Sequence, residues 1–251
     1  MKKLLTSVLS LFIVSFLFLS FSCKTNQFKT FEQIIERDDS NDFEIEIKRP
    51  LFANTEPDAD FINSLIDERI IEQKIIFKEK VRDYVENGDS FKLSLIGNWK
   101  LSQYDESVFS CLLTFYAYTG GAHGYTVLAP INIDLKTGKK IEIENVNDSI
   151  AKVTKKSKKS LASILQTASK LSQEQISLQV KKKTKQDPKD ILFMEGFQAK
   201  KENYALFTLT KKNIIFYFNE YQIAPYAFGY FHSEIPYEAF YKNFLNQSTC
   251  I

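Results

Sequence analysis

Three features of the sequence predict an α+β fold of antiparallel β-sheet meanders with flanking helices. Short segments with alternating apolar and polar residues recur between residues 43 and 144 and again after residue 204. One long segment, 58–86, instead repeats its apolar residues at a spacing of about 3.6, and glycine, proline and asparagine punctuate the joins. The chain has 251 residues, 44% of them apolar and 14% aromatic, a composition that excludes collagen-like, disordered and multi-span membrane classes. A chain of this length buries roughly 70% of its unfolded surface, enough for a core without disulfide staples.

Residues 1–22 are set aside first, as a lipoprotein signal peptide. Lys2 and Lys3 precede an apolar run from Leu4 to Leu19, and Leu19-Ser20-Phe21-Ser22-Cys23 follows. That last stretch resembles a bacterial lipobox, in which the Cys23 thiol takes a diacylglycerol and becomes the first mature residue. Phe21 departs from the usual small residue. An uncleaved anchor helix is the other reading, since a span needs about 20 apolar residues. Either way the expected partner is a membrane, reached through lipid on Cys23 or through the helix, and the expected location is the bacterial cell envelope.

Residues 23–42 are polar and mixed and read as a tether. The fold is expected to begin at Phe43, where Phe43-Glu44-Ile45-Glu46-Ile47-Lys48-Arg49 alternates like an edge strand that Pro50 stops. A long helix over 58–86 follows, capped by Asp58 and closed by Asn87-Gly88. Strands 91–100 and 108–118 pair around a polar turn, strand 125–135 comes next, and Lys136-Thr137-Gly138-Lys139 turns into a short strand, 140–144. These make an N-terminal α+β half, 43–144.

Residues 145–251 form a C-terminal half of helix plus sheet, expected to pack with the first as one unit. Helices are predicted over about 148–185. The first is capped by Asp148 with a stripe of Ile150, Val153, Leu161, Ile164, Ala168 and Leu171, and the second opens at a Ser172–Gln175 capping box. The 11 lysines between 148 and 189 fall mostly off that stripe and read as a solvated face, with anionic headgroups or wall polymers as the sharper alternative. Strands near 204–210, 214–218 and 231–235 and a closing helix over 237–245 complete the chain. The 14 aromatics between 204 and 244 must be mostly core, with a minority free to line a binding surface.

Charge excludes one partner class. The 33 basic residues nearly match the 31 acidic ones, and Lys2 and Lys3 are the only charges within residues 1–22, so the remainder is neutral. Phosphate neutralisation needs a basic surplus, so nucleic acid is not expected. Cys111 in a strand and Cys250 near the C-terminus are expected as two unpaired thiols.

Catalytic motifs are thin. There are two histidines, His123 and His232, and no HExxH, Gly-x-Ser-x-Gly, CxxC, phosphate loop or dinucleotide fingerprint. The expectation is a protein that is not an enzyme and has no cofactor or metal; a hydrolase using His123 with Asp134 is a poorly supported alternative. The one sharp motif is Tyr118-Thr119-Gly120-Gly121-Ala122-His123-Gly124-Tyr125. Glycine at this density permits positive φ and close backbone approach. The loop either presents Tyr118, His123 and Tyr125 to a ligand, or shapes a tight crossover in which His123 bonds a neighbouring carbonyl.

That motif, together with Asn132-Ile133-Asp134-Leu135-Lys136-Thr137-Gly138-Lys139, Tyr221-Gln222-Ile223-Ala224-Pro225-Tyr226-Ala227-Phe228-Gly229 and Ile235-Pro236-Tyr237, resembles one family. It is the extracytoplasmic domain of RsiV-type anti-sigma factors and of the non-catalytic N-terminal part of PdaC-type peptidoglycan deacetylases, matched in order from about Phe43 to Leu245. The resemblance implies an α+β fold and an envelope role. RsiV-type members bind lysozyme through this domain. Only Met1, Lys2 and Lys3 precede the apolar run and no deacetylase domain is expected after Ile251, so neither sigma-factor regulation nor deacetylation is carried over. The expected function is binding an envelope partner, with lysozyme or a lysozyme-like muramidase first and peptidoglycan or another wall glycan second. Candidate binding residues are Tyr118, Gly120, Gly121, His123, Gly124 and Tyr125, with Tyr226, Tyr230 and Tyr237 as ring surfaces for sugar.

Overall fold

The computed structural model describes residues 31–53, 58–87 and 91–242. The expected signal peptide, Cys23 and Cys250 lie outside these, as do residues 243–245 of the expected closing helix.

The first sheet has six strands in the order β1 (Phe31–Asp39), β2 (Phe43–Phe52), β3 (Leu93–Tyr104), β4 (Val108–Tyr118), β5 (Tyr125–Asp134) and β6 (Lys139–Lys140). All neighbours are antiparallel except β2 and β3. Parallel neighbours need a crossover, and helix α1 (Ala59–Glu86) supplies it. The periodicity that predicts the helix also buries it: Ile62, Ile66, Ile70, Phe77 and Val81 pack on Ile45, Ile47, Leu95, Leu113 and Phe115 from the sheet. Burial of each such side chain contributes about 1.5–3 kcal/mol.

The second sheet, β7 (Phe207–Leu209), β8 (Asn213–Phe218) and β9 (Phe231–Pro236), is antiparallel. Alternation along β8 sorts its two faces. Ile214, Phe216 and Phe218 join the core beneath α3 (Leu161–Thr184), while Ile215 and Tyr217 meet Leu112 and Leu128 of the first sheet. The layers therefore run α1, six-stranded sheet, three-stranded sheet, α3. Ser110 sits at the join, accepting the Leu209 N–H at 2.8 Å and donating to Asn132 Oδ1 at 2.7 Å, while Asn132 Nδ2 donates to the Phe207 carbonyl at 2.8 Å.

Several expectations are corrected. The tether over 23–42 contains strand β1, so the sheet starts at least at Phe31, and β2 is interior rather than an edge. β1 is held by charge: Lys74 bonds Glu36 at 2.5 Å, Lys78 bonds Asp38 at 2.5 Å, and buried Arg49 pairs with Glu36 and Asp67. β2 continues through Pro50, which pairs with Gln33. The predicted strand 140–144 shrinks to β6. Helix α2 (Val146–Thr154) ends at Lys155, and α3 begins at Ser160, whose Oγ accepts the Ser163 N–H. Ser172 is therefore no cap; it lies buried inside α3, bonded to Ser233 at 2.6 Å. The segment beginning at Tyr237 is a 3-10 turn, Tyr237–Tyr241.

Candidate functional site

Strands β4 and β5 are joined by residues 119–124, and the glycines there have physical work to do. Gly120 has φ +93°, and a side chain on it would meet the Tyr84 ring of α1 at 2.5 Å. Gly124 is a close-approach position, where a Cβ would lie 2.5 Å from the Ala117 carbonyl oxygen and 2.5 Å from the Tyr116 ring. Gly121 contributes its carbonyl, which accepts the Tyr118 hydroxyl at 3.1 Å.

Against this loop folds the segment after β8. Tyr226 stacks on His123 with ring centroids 3.7 Å apart and planes 17° from parallel. One backbone oxygen pins both rings: the Gly124 carbonyl accepts the Tyr226 hydroxyl at 2.9 Å and the His123 Nδ1–H at 2.9 Å. In the neutral ring, Nδ1 donating leaves Nε2 as the acceptor. Tyr221 lies 5.7 Å from Tyr226, and Glu220 accepts the Thr126 N–H at 3.3 Å. Partial burial, then the Glu220 carboxylate and the Tyr116 and Tyr221 rings nearby, push the Tyr226 phenol up. Tyr221 has φ +63°, a conformation uncommon for a bulky side chain. Tyr221 is 58% exposed, Tyr116 39% and Tyr125 37%, so the cluster presents ring surface to solvent.

Among the sequence candidates, Tyr118, Gly120, Gly121, His123, Gly124 and Tyr226 are thus brought together, with Tyr125 at the start of β5 beside them. Tyr237 is not available. It is 3% exposed in the second core, its hydroxyl bonds the Thr210 carbonyl at 2.9 Å, and burial pushes its phenol up. Tyr230 is exposed and acts electrostatically on Tyr217, and no ring contact joins it to the stack. His232 lies on β9 beside Tyr217, where burial and Lys100 lower its pKa. Asp134 stands at the far end of β5 from His123, about 30 Å along the strand, so the two make no catalytic pair. Tyr116, Glu220 and Tyr84 belong to the site and were missed. Tyr116 reads as a sheet residue, and nothing local in sequence brings Glu220 to Thr126, though its neighbour Tyr221 opens a matched motif. Among the described residues, no group of three or more His, Cys, Asp or Glu side chains is placed to hold a metal ion.

Two family models match successive stretches of this architecture. Residues 36–126 match the one described as Deacetylase PdaC, and residues 148–238 match a Protein of unknown function, DUF3298. The two matches together support a shared PdaC/DUF3298-type domain family. A PdaC/DUF3298-type relative, the peptidoglycan-N-acetylmuramic acid deacetylase PdaC of Bacillus subtilis (strain 168), is 25% identical over 187 residues, which is 74% of this chain. The chain spans 36% of that relative's length. A DUF3298 family crystal structure from Pseudomonas aeruginosa PAO1 superposes with a TM-score of 0.54 at 17% identity, covering 84% of this chain and 91% of the other, and shows a shared fold. Another, from Bacteroides fragilis NCTC 9343, has a TM-score of 0.45 at 16% identity, covering 83% and 90%. The PdaC match takes in the end of β1 and the glycine loop, and the DUF3298 match takes in Glu220, Tyr221 and Tyr226, so the ring cluster is assembled across the two.

Proposed function

We propose that this PdaC/DUF3298-type chain is a non-catalytic binding module of the bacterial cell envelope, tethered through lipid on Cys23, that docks on wall glycan through its ring cluster. The observation that carries the reading is the His123–Tyr226 stack, fixed by the Gly124 carbonyl and flanked by exposed Tyr221, Tyr116 and Tyr125. Sugar rings present apolar C–H faces that lie on aromatic planes, while Glu220 and His123 Nε2 offer acceptors to hydroxyl and amide donors. The name of the Bacillus subtilis relative points to the same class of ligand, a peptidoglycan sugar. Sequence resemblance alone puts a lysozyme-like muramidase first. A flat, prearranged ring pair favours a sugar face over that partner. The protein-partner reading keeps one observation in its favour: exposed tyrosines clustered around a rigid loop also suit a protein interface.

The test is co-sedimentation of the purified protein with purified sacculi, beside calorimetric titration with lysozyme at two salt concentrations. Pelleting that falls about tenfold in Tyr226→Ala, matching the loss of roughly 1.5 kcal/mol of ring contact, supports glycan docking. Binding to lysozyme that persists at the higher salt, without pelleting, moves the assignment to a protein partner. Pelleting unchanged in both Tyr226→Ala and Gly120→Val, with folding retained, removes the loop end from the account.

A further inference from the structure

A second feature runs from beside the ring cluster along the outer edge of β5. The register fixes which backbone groups face outward there. Every residue from Tyr125 to Asp134 has a partner on β4, but in an antiparallel ladder only alternate residues turn their backbone N–H and C=O towards that partner, the others turning theirs outward, and the even-numbered residues are the outward set. Two contacts confirm the parity: the Thr126 N–H goes outward to Glu220, and the Asn132 carbonyl accepts the Ile141 N–H from beyond the edge. β6 covers only Ile133 and Asp134. Between Thr126 and Asn132 the outward groups are the Leu128 N–H and the carbonyls of Thr126, Leu128 and Pro130, and among the described residues no backbone partner reaches them.

This open edge is not bare surface. It forms the floor of a cleft of about 640 Å³, with α1 on one wall and residues 140–144 and 201–207 on the other. The volume falls within the range of ligand sites, about 300–1,000 Å³. Its rim is acidic: Glu68 and Glu72 come from α1, and Glu142, Glu144 and Glu202 from the opposite wall, against Arg69, Lys140 and Lys201. Arg69 is engaged with Glu72 at 2.9 Å and Lys201 with Glu144 at 3.0 Å. Glu68 and Glu142 have no salt-bridge partner among the described residues, and Glu202 acts on Lys201 without bridging it, so carboxylates outnumber basic groups along the two walls.

We propose that this cleft docks a short extended segment of a partner protein, carrying lysine or arginine, as an added strand on β5. An added strand presents alternate side chains to opposite faces. Here one set faces Glu68 and Leu65 on α1 and the other faces Glu202 and Leu206, so basic side chains are received on either side while the Leu128 N–H and the flanking carbonyls supply the main-chain bonds. Pro130 withholds one outward donor, and Glu220 occupies the Thr126 N–H. The edge is thereby limited to a few residues and guarded against indefinite strand addition.

The experiment uses the purified protein with a fluorescent ten-residue peptide, TKTKTKTKTK, and its acidic counterpart TETETETETE, reading anisotropy and the hydrogen exchange of the Leu128 amide. The expected result is saturable binding of the lysine peptide, at least tenfold weaker binding of the glutamate peptide, and Leu128 exchange slowed at least tenfold by the lysine peptide. The exposed double variant E68K/E202K should weaken the lysine peptide at least tenfold with its circular dichroism and sacculus pelleting unchanged; Tyr226→Ala should leave peptide binding intact, which separates this site from the ring cluster. Equal binding of both peptides, no saturable binding, or binding that leaves Leu128 exchange untouched overturns the proposal. So does a Leu128 amide already protected in the free protein, because the chain's own residues then fill the edge.

Discussion

Replacing Ser110 with alanine should destabilise the whole protein, not just one strand. The hydroxyl joins the two sheets: it accepts the Leu209 N–H at 2.8 Å and donates to Asn132 Oδ1 at 2.7 Å. Ser110 is fully buried and Asn132 is 7% exposed, so water does not replace the lost bonds. Ser110→Ala leaves one backbone donor and one amide oxygen unpaired. At about 1–3 kcal/mol for each buried unsatisfied group, the loss is roughly 2–6 kcal/mol, a large share of a typical domain's 5–15 kcal/mol. The exposed helical Ser64→Ala should cost under about 0.5 kcal/mol. The assay is urea unfolding followed by two probes. Trp99, the single tryptophan, reports the first sheet from β3, and far-ultraviolet circular dichroism reports both halves. If the layers unfold as one unit, both probes give the same midpoint, and Ser110→Ala lowers both by roughly 1–2 M urea, taking a slope near 3 kcal/mol per molar. Separate transitions, with the Trp99 midpoint unmoved by the substitution, would refute the reasoning and make the halves independent.

Two further outcomes follow from buried groups. Burial pushes the Asp105 carboxyl up, but bonds from the Ser107 N–H, Gln103 Nε2 and the Val108 N–H outweigh it and hold the group below the usual carboxylate range. A depressed folded value means that its stabilisation is present above the unfolded carboxylate range, near pH 4, and is lost as pH falls through the folded value; urea titrations should show Asp105→Asn less stable than the parent at pH 7, with the gap closing towards pH 2. The Cys111 thiol is fully buried and pushed up by that burial, so in a protein with Cys23 and Cys250 replaced by serine it should react with a disulfide reagent only at the unfolding rate, and prompt labelling would show that the β4 core is open.

The central meander was legible because each strand's alternation reports a real boundary: one face of β4 packs on α1, and the other meets the second sheet or solvent. Helix α1 was legible for the same reason at its own period. What failed was structure held by distant charge or by a single polar pair. β1 carries only Phe31, Ile34 and Ile35 as apolar residues, too short a signal for a strand, and Glu36 and Asp38 hold its second half to Lys74 and Lys78 of α1, some 40 residues away. Ser172 has the sequence of a cap, yet its hydroxyl is spent on Ser233 inside α3. At the site, the glycines announced an unusual loop locally, and the quoted motif around Tyr226 supplied its stacking partner. Glu220, Tyr116 and Tyr84 were hidden, because their roles depend on how strands and helix are stacked rather than on spacing along the chain. Tyr237 was taken for a surface ring because aromatic identity does not say on which side of a sheet layer the ring falls.

The two proposed sites meet at one residue. Glu220 takes the Thr126 N–H, the outward donor that precedes Leu128 on the β5 edge, and the same carboxylate acts on Tyr226 in the ring cluster. A strand added in the cleft therefore reaches a donor that is already occupied. It must stop at Leu128, or displace Glu220 and compete with its bond to Thr126. Displacement would turn a carboxylate loose beside Tyr226 and alter the polar rim that a sugar would meet there. If sacculus pelleting is unchanged when the lysine peptide saturates the protein, the added strand ends short of Thr126 and the sites act independently. If pelleting changes, and Glu220→Gln abolishes the change, Glu220 is the link between them. Glu220 is the residue to test because, among the described residues, it alone bonds the edge of β5 and borders the His123–Tyr226 stack.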